Sequence, residues 1–495
     1  MNQAAEQAGP LAPRVARGAI WITGSRLSGR IFDALKALVL ARLLAPADFG
    51  LFGLAMLALV TIDTFSQTGF NAALIQRPGD IRPHLSSAWT VQVLRGAGLA
   101  TLLFLGSPLL SMFFNEPELT ALLRVMCLAI LLQGFINTGI VFFDRELEFQ
   151  RSFVYEVGSN AISLAVGVVL AYALRSAWAL AWANLAGVCA KVVLSFALAE
   201  VKPRFELVQP RLAELFTFGK WMSGGAIAAF VWQNIDRVVV GRVLGVSSLG
   251  VYQMALRIAL LPASHVAVGA MGVTLPAYAK LQGQPERMGR TFLDVFETAM
   301  SIIAPMTLFL AVAAPEVVVG LLGSHWMDAV WPLRILAVGC MCAAVDTMAT
   351  PLLVGTGRPR VEFWKNVVRS TVVLGSIYPL TATMGLTGAC ISFAAGSAAP
   401  LFFWGSVMKI GQIRWRDLAA RGIVAGTMAA SVPPVVLTTR AIVGDPGALA
   451  LFVSVTACAV SWCVVGYGLR TFSGLGILVH LTRLKAAWLD YRRES

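Results

Sequence analysis

Apolar runs of roughly 20 residues recur along the whole chain, the length an α-helix needs to cross a hydrocarbon core. Within lipid every backbone N–H and C=O must find its partner inside the protein, so such runs are helices rather than loops or open sheet. Composition agrees. Of the 495 residues 57% are hydrophobic and only 13% charged, whereas a soluble domain carries about 25% charged residues. No polar linkers divide the chain into soluble domains. An all-α polytopic membrane protein is expected, with about fourteen spans, near 18–43, 49–75, 87–114, 119–143, 153–174, 177–199, 213–240, 249–278, 291–313, 327–354, 363–383, 385–408, 422–440 and 447–469.

The net charge of +13 does not point to nucleic acid, because most basic residues sit in short connectors between the apolar runs. With the N-terminus cytoplasmic, 24 of the 39 Lys and Arg fall on the cytoplasmic side. Four fall outside: Arg42, Arg175, Arg242 and Arg440. Both termini are therefore expected in the cytoplasm. The chain carries no clean signal-peptide core, since Arg26, Arg30, Asp33 and Lys36 interrupt the first apolar stretch. Seven scattered cysteines and four isolated histidines have no metal-ligand spacing. Neither a metal nor a cofactor is expected. No phosphate-binding glycine loop is present, and the connectors are too short to hold a catalytic domain.

The sequence repeats itself. Trp21, Gly24, Val39, Arg42, Leu44, Gly50 and Ala55 match Trp221, Gly224, Val239, Arg242, Leu244, Gly250 and Ala255 at a constant offset of 200. Each copy opens a block of six spans. The expected organisation is a cytoplasmic tail (1–17), a first lobe of six spans (18–199), a cytoplasmic linker (200–212) and a second six-span lobe (213–408). Two added spans (409–470) and a cytoplasmic amphipathic tail (471–495) follow. Parallel repeats of this kind rock against each other around a central site.

Leaving aside Arg42, Lys365 and Arg440 at span boundaries, eleven Lys or Arg lie within the expected spans. Each costs about 2.5–3.5 kcal/mol at a bilayer centre on insertion scales, so most face protein or water. Arg26, Arg30 and Asp33 share one helical stripe, bordered by Lys36. They read either as a cationic wall for a pyrophosphate or acidic sugar, or as an Arg–Asp pair that fixes helix packing. Asp63, Gln67 and Asn71 form a second polar stripe. It suits charge balance or ion coupling, or plain interhelical hydrogen bonding. Arg257 and Lys220 are candidates from the second lobe, Lys220 also reading as a snorkelling side chain. Asp236 and Arg237 suit an outer gate, with Lys36 facing Asp236. Arg124, Lys191 and Arg369 are expected as end-of-helix anchors, and Arg95, Arg334 and Asp346 in packing ion pairs.

The run from Leu44 to Ala55, LAPADFGLFGLA, resembles the first-loop signature of Wzx-type polysaccharide-transport flippases, a branch of the multidrug/oligosaccharidyl-lipid/polysaccharide exporter superfamily. Thr68 to Gln76, Asn234 to Arg237, Leu249 to Tyr252, Leu275 to Tyr278 and Gly357-Arg358-Pro359 fit the same branch. The resemblance implies two six-helix pseudo-symmetric lobes plus two helices. It also implies movement of a lipid-linked oligosaccharide, undecaprenyl-pyrophosphate-linked, to the periplasmic leaflet of a bacterial inner membrane, with polysaccharide polymerase or export partners. The alternatives are a multidrug or cation exporter of the same superfamily, a peptidoglycan-precursor flippase, and a membrane-embedded polymerase or glycosyltransferase.

Overall fold

The computed structural model describes residue 29 and residues 32–66, 81–145 and 149–473, and among them every regular element is helical. Helix α1 covers 32–43. It is followed by α2 (Pro46–Phe65), α3 (Arg82–Phe114), α4 (Glu118–Gly134), the short α5 (Val141–Arg145), α6 (Phe149–Leu174), α7 (Ala177–Leu198) and α8 (Gln209–Lys280). The remainder is α9 (Pro285–Val312), α10 (Ala314–Leu321), α11 (Val330–Gly355), α12 (Pro359–Ala398), α13 (Trp404–Ile410), α14 (Trp415–Ala430), α15 (Val432–Val443) and α16 (Ala448–Ser473). Ten stretches of the described residues are long and apolar enough to cross a membrane. The protein is a multi-pass α-helical membrane protein.

Local chemistry sets where the helices begin, end and break. Asp48 stands at the third position of α2, and its Oδ2 accepts the N–H of Ala45 at 2.9 Å. Its Oδ1 accepts the N–H of Ala177 at 2.9 Å. One carboxylate thus serves two helix N-termini, where unpaired donors favour negative charge. Asn115 ends α3 in the left-handed conformation, which asparagine tolerates better than most residues. The expected span 119–143 is shorter than its apolar run, because α4 stops at Gly134. The side chain of Asn137 accepts the N–H of Gly139 at 2.7 Å, turning the chain into a short 3-10 segment before α5. Between α14 and α15 the chain reads Ser431-Val432-Pro433-Pro434, where proline supplies no N–H to continue the first helix.

Two glycines mark breaks inside long helical stretches. Gly385 in α12 has φ +61°, and Gly245 in α8 has φ +81°, values that favour glycine. Gly245 lies in a connector between expected spans, and Gly385 is the first residue of the expected span 385–408. Pro359–Ile410, one of the ten stretches, holds the two expected spans 363–383 and 385–408. Its two segments pack back on each other, with Ser376 Oγ and Ser392 Oγ 2.7 Å apart.

The chain forms two compact units, Met1–Gly250 and Val251–Ser495. In the first, α6 packs on α7 and α3 on α4. Close approach of α3 and α4 depends on Gly96 and Gly134, each facing the other helix's backbone. In the second, α9 packs on α11 and α14, and α11 on α12.

The sequence repeat has a direct physical counterpart within the first unit. A Cβ on Gly50 would overlap the carbonyl oxygen of Val246, and a Cβ on Gly250 would overlap that of Pro46. The two contacts are related to each other by the offset of 200, so the repeat copies meet reciprocally, each glycine against the other copy's backbone. The break before α2 at Ala45 and the break at Gly245 are related by the same offset.

Candidate functional site

In the first unit α1 carries Asp33 and Lys36 along α6. Lys36 Nζ lies 3.9 Å from Asp33 Oδ1 and donates to Ser163 Oγ at 3.2 Å. Ser163 Oγ in turn donates to the carbonyl of Ala183 on α7 at 2.8 Å. One turn away on α6, Asn160 Nδ2 stands beside Gly29. On α7 the buried Oδ1 of Asn184 has no hydrogen-bond partner among the described residues. This polar seam joins three helices that composition alone would make wholly apolar. Asp33 and Lys36 keep 51% and 27% of their side-chain surface, so both are open to exchange partners.

A second polar contact links α2 to α3. Asp63 is paired with Arg95, the packing ion pair expected of Arg95. Gln92, one turn before Arg95, donates to the carbonyl of Gln133 on α4 at 3.1 Å.

On α8, ahead of the break, Asp236 is buried and its Oδ1 accepts the N–H of Arg237 at 2.8 Å. Arg237 Nη1 donates to Asn234 Oδ1 at 2.8 Å. Arg257 lies beyond the break, in the second unit, and is exposed. Arg26, Arg30, Gln67, Asn71 and the side chain of Lys220 lie outside the described residues.

The second unit contains polar groups that the sequence did not single out. Lys365 on α12, only 1% exposed, bridges Asp346 Oδ1 on α11 at 2.8 Å and Glu362 Oε2 at 3.0 Å. The other oxygen of Asp346 takes Arg369 Nη2 at 2.6 Å. Arg369 is therefore not the lipid-interface anchor its position suggested. It is committed to a buried four-charge cluster. Arg334 is not the partner of Asp346 but stands over the ring of Trp331 at 4.8 Å. Arg124 stands over Phe104 at 5.1 Å, a cation–π contact in each case. Lys191 pairs with Glu156 at 3.3 Å.

Two further pairs fasten the last helices of the second unit. Arg421 at the foot of α14 meets Glu297, which is fully buried, and Asp294 at 3.2 Å. Arg440 on α15 meets Glu316 at 2.6 Å and 2.9 Å. The pairs share one sequence separation, 124, so the two helical stretches run in the same direction. The interval between the pairs corresponds to about 28 Å of helix rise, close to the thickness of a hydrocarbon core. The equal spacing of the two acids and the two arginines was the signal that could have revealed them. Among the described residues no cluster of His, Cys, Asp or Glu is arranged to hold a metal ion.

Comparison with known proteins fixes the family. The family described as "Polysaccharide biosynthesis protein" matches residues 39–331, more than half of the chain. The chain belongs to that family. The matched region contains Asp63, Arg95, Asp236, Arg237 and Arg257, and both glycines of the reciprocal contact. Among the relatives of this polysaccharide biosynthesis protein is the succinoglycan biosynthesis transport protein ExoT of Rhizobium meliloti. It is 26% identical over 340 residues, covering 68% of this chain and 69% of that protein. The lipopolysaccharide biosynthesis protein WzxC of Escherichia coli is 24% identical, with coverages of 72% and 73%. In fold the protein is similar to the lipid II flippase MurJ in an inward closed conformation, at a TM-score of 0.71 and 12% identity, over 92% of this chain and 99% of that one. It is also similar to an inward-facing MATE transporter of the MOP superfamily, at 0.63 and 18% identity over 78% and 95%.

Proposed function

We propose that this protein flips a polyprenyl-pyrophosphate-linked oligosaccharide repeat unit from the cytoplasmic to the periplasmic leaflet of the bacterial inner membrane, for exopolysaccharide, capsule or O-antigen assembly. It acts by alternating access, with both termini cytoplasmic and no bond-making chemistry of its own. The observation that carries this reading is the set of half-exposed ionisable groups on spanning helices of the first unit, in a chain of the polysaccharide biosynthesis family. An ionisable group placed in a span at a cost of several kcal/mol is a functional group by default.

Arg26 and Arg30, on the stripe that continues into Asp33 and Lys36, attract the anionic headgroup together with Arg257, while the polyprenyl tail stays in lipid. Arginine suits this task because its planar fork binds two phosphate oxygens at once. A membrane potential negative inside favours outward movement of an anion by about 2.3 kcal/mol per charge per 100 mV, so no nucleotide is required.

The test is transport of a fluorescent polyprenyl-pyrophosphate oligosaccharide in proteoliposomes. The double variant Arg26→Ala/Arg30→Ala is expected to lose at least tenfold in rate, and an unchanged rate would remove these residues from the site. A deletion strain should accumulate the lipid-linked repeat unit, detected by mass spectrometry, and absence of that accumulation would overturn the assignment.

A further inference from the structure

One end of the second unit gathers unpaired positive charge. Three connectors meet there. Gln282, after α8, donates to the carbonyl of Gly355 at the end of α11 at 2.5 Å. Gly289, on the first turns of α9, packs against the backbone of Gly411, between α13 and α14. The connectors 281–284, 356–358 and 411–414 therefore form one surface. Lys280, Arg358, Arg360, Lys409 and Arg416 are all exposed on it, and none makes an ion pair among the described residues. The exposed acids are already engaged, Glu286 with Arg290 and Asp417 with Arg414. At the opposite end of the unit the described cations are Arg440, held by Glu316, and Arg334, stacked on Trp331.

Large aromatic rings accompany the charge. Trp415 lies between Arg414 and Arg416, 59% exposed, and Phe363 and Trp364 are exposed one turn beyond Arg360. Aromatic rings of this kind settle at the headgroup level of a bilayer. A soluble acidic partner would be met by charge alone, whereas rings and cations together match a layer with an apolar side and an anionic side.

We propose that this rim, formed by Lys280, Arg358, Arg360, Lys409 and Arg416 with Trp415 and Trp364, binds the headgroups of anionic phospholipids in the leaflet it touches. Cations near such a leaflet each strengthen binding by about fivefold, and the effect fades with salt within a Debye length.

The test uses the full-length protein in nanodiscs of phosphatidylcholine with a minority of phosphatidylglycerol. The readout is the composition of lipid retained after mild detergent exchange, measured by mass spectrometry. Wild-type protein is expected to retain phosphatidylglycerol at several times its bulk proportion. The neutral variant Arg358→Gln/Arg360→Gln/Arg416→Gln should fall toward the bulk ratio, and Arg358→Lys/Arg360→Lys/Arg416→Lys should keep the enrichment. Thermal unfolding of both variants controls for misfolding. Enrichment that survives in the neutral variant overturns the proposal, as does its loss in the lysine variant. Wild-type protein that retains no excess of phosphatidylglycerol but holds polyglutamate in low salt also overturns it, in favour of an acidic protein partner. None of these readouts depends on flipping, so the result stands apart from the transport assay.

Discussion

In the first unit, Asp33 and Asp63 keep 51% and 39% of their side-chain surface while paired with Lys36 and Arg95. In the second, Asp346, Glu297 and Glu316 keep 5%, 0% and 2% beside Lys365, Arg421 and Arg440. Half-exposed pairs lose little when exchanged for water or for an anionic ligand, because solvent already screens them. Buried pairs cannot be opened without stranding a charge. The difference separates groups able to take part in a transport cycle from groups that hold helices in register. Asp236 is the exception in the first unit, buried like the carboxylates of the second.

The comparison can be broken most sharply at Lys365. The variant Lys365→Met leaves Asp346 and Glu362 with Arg369 alone, and should destabilise the protein by about 3–5 kcal/mol. Thermal unfolding in detergent measures this. Adding Asp346→Asn, which removes one charge of the opposite sign, should recover part of the loss, and no recovery would mean the cluster does not act as a balanced set. A smaller loss, about 1–3 kcal/mol, is expected for Gly50→Ala, because its methyl group meets the Val246 carbonyl. The same assay should show a similar loss for Gly250→Ala if the contact is truly reciprocal.

In the first unit the pattern should reverse, with little change in stability and a clear change in transport. Asp63→Asn should cost less than about 1 kcal/mol yet alter the proteoliposome flipping rate. A large stability loss with normal flipping would place this pair with those of the second unit. A similarly small stability effect is expected for Lys36→Gln, which loses the half-exposed pair with Asp33 and a hydrogen bond to Ser163, about 0.5–1 kcal/mol. Its flipping rate at saturating and limiting substrate would show whether Lys36 acts on binding.

Much of the fold was legible because apolar run length is a strong signal in a membrane protein. The break at Gly245 falls in an expected connector, and the break at Gly385 falls at the first residue of an expected span. Partner choice was less legible. Asp63 read as a charge-balancing, ion-coupling or hydrogen-bonding group, and its partner Arg95 is set by how α2 and α3 pack, which the sequence pattern does not state. Glu297 and Glu316 escaped notice because an acid near the end of an apolar run looks like an ordinary boundary residue. Asn160, Ser163 and Asn184 carry no signal at all until α6 and α7 are placed beside α1. The repeat was visible as seven identities, but the demand that one of them, Gly50 with Gly250, be glycine is a matter of backbone distance, which no residue pattern states.

That reciprocal contact bears on ancestry. Positions 46 and 50 meet 246 and 250 as a surface meets its own image in a two-fold symmetric dimer. In a gene encoding one copy, a single codon would have set both glycines, and any larger residue would have wedged both halves of the contact apart at once. In the fused gene the two codons are free to drift separately. Neighbouring positions differ between the copies: Pro46 aligns with Val246, Ala45 with Gly245, and Asp48 with Ser248. Both glycines remain, so each half of the contact still excludes a side chain on its own account.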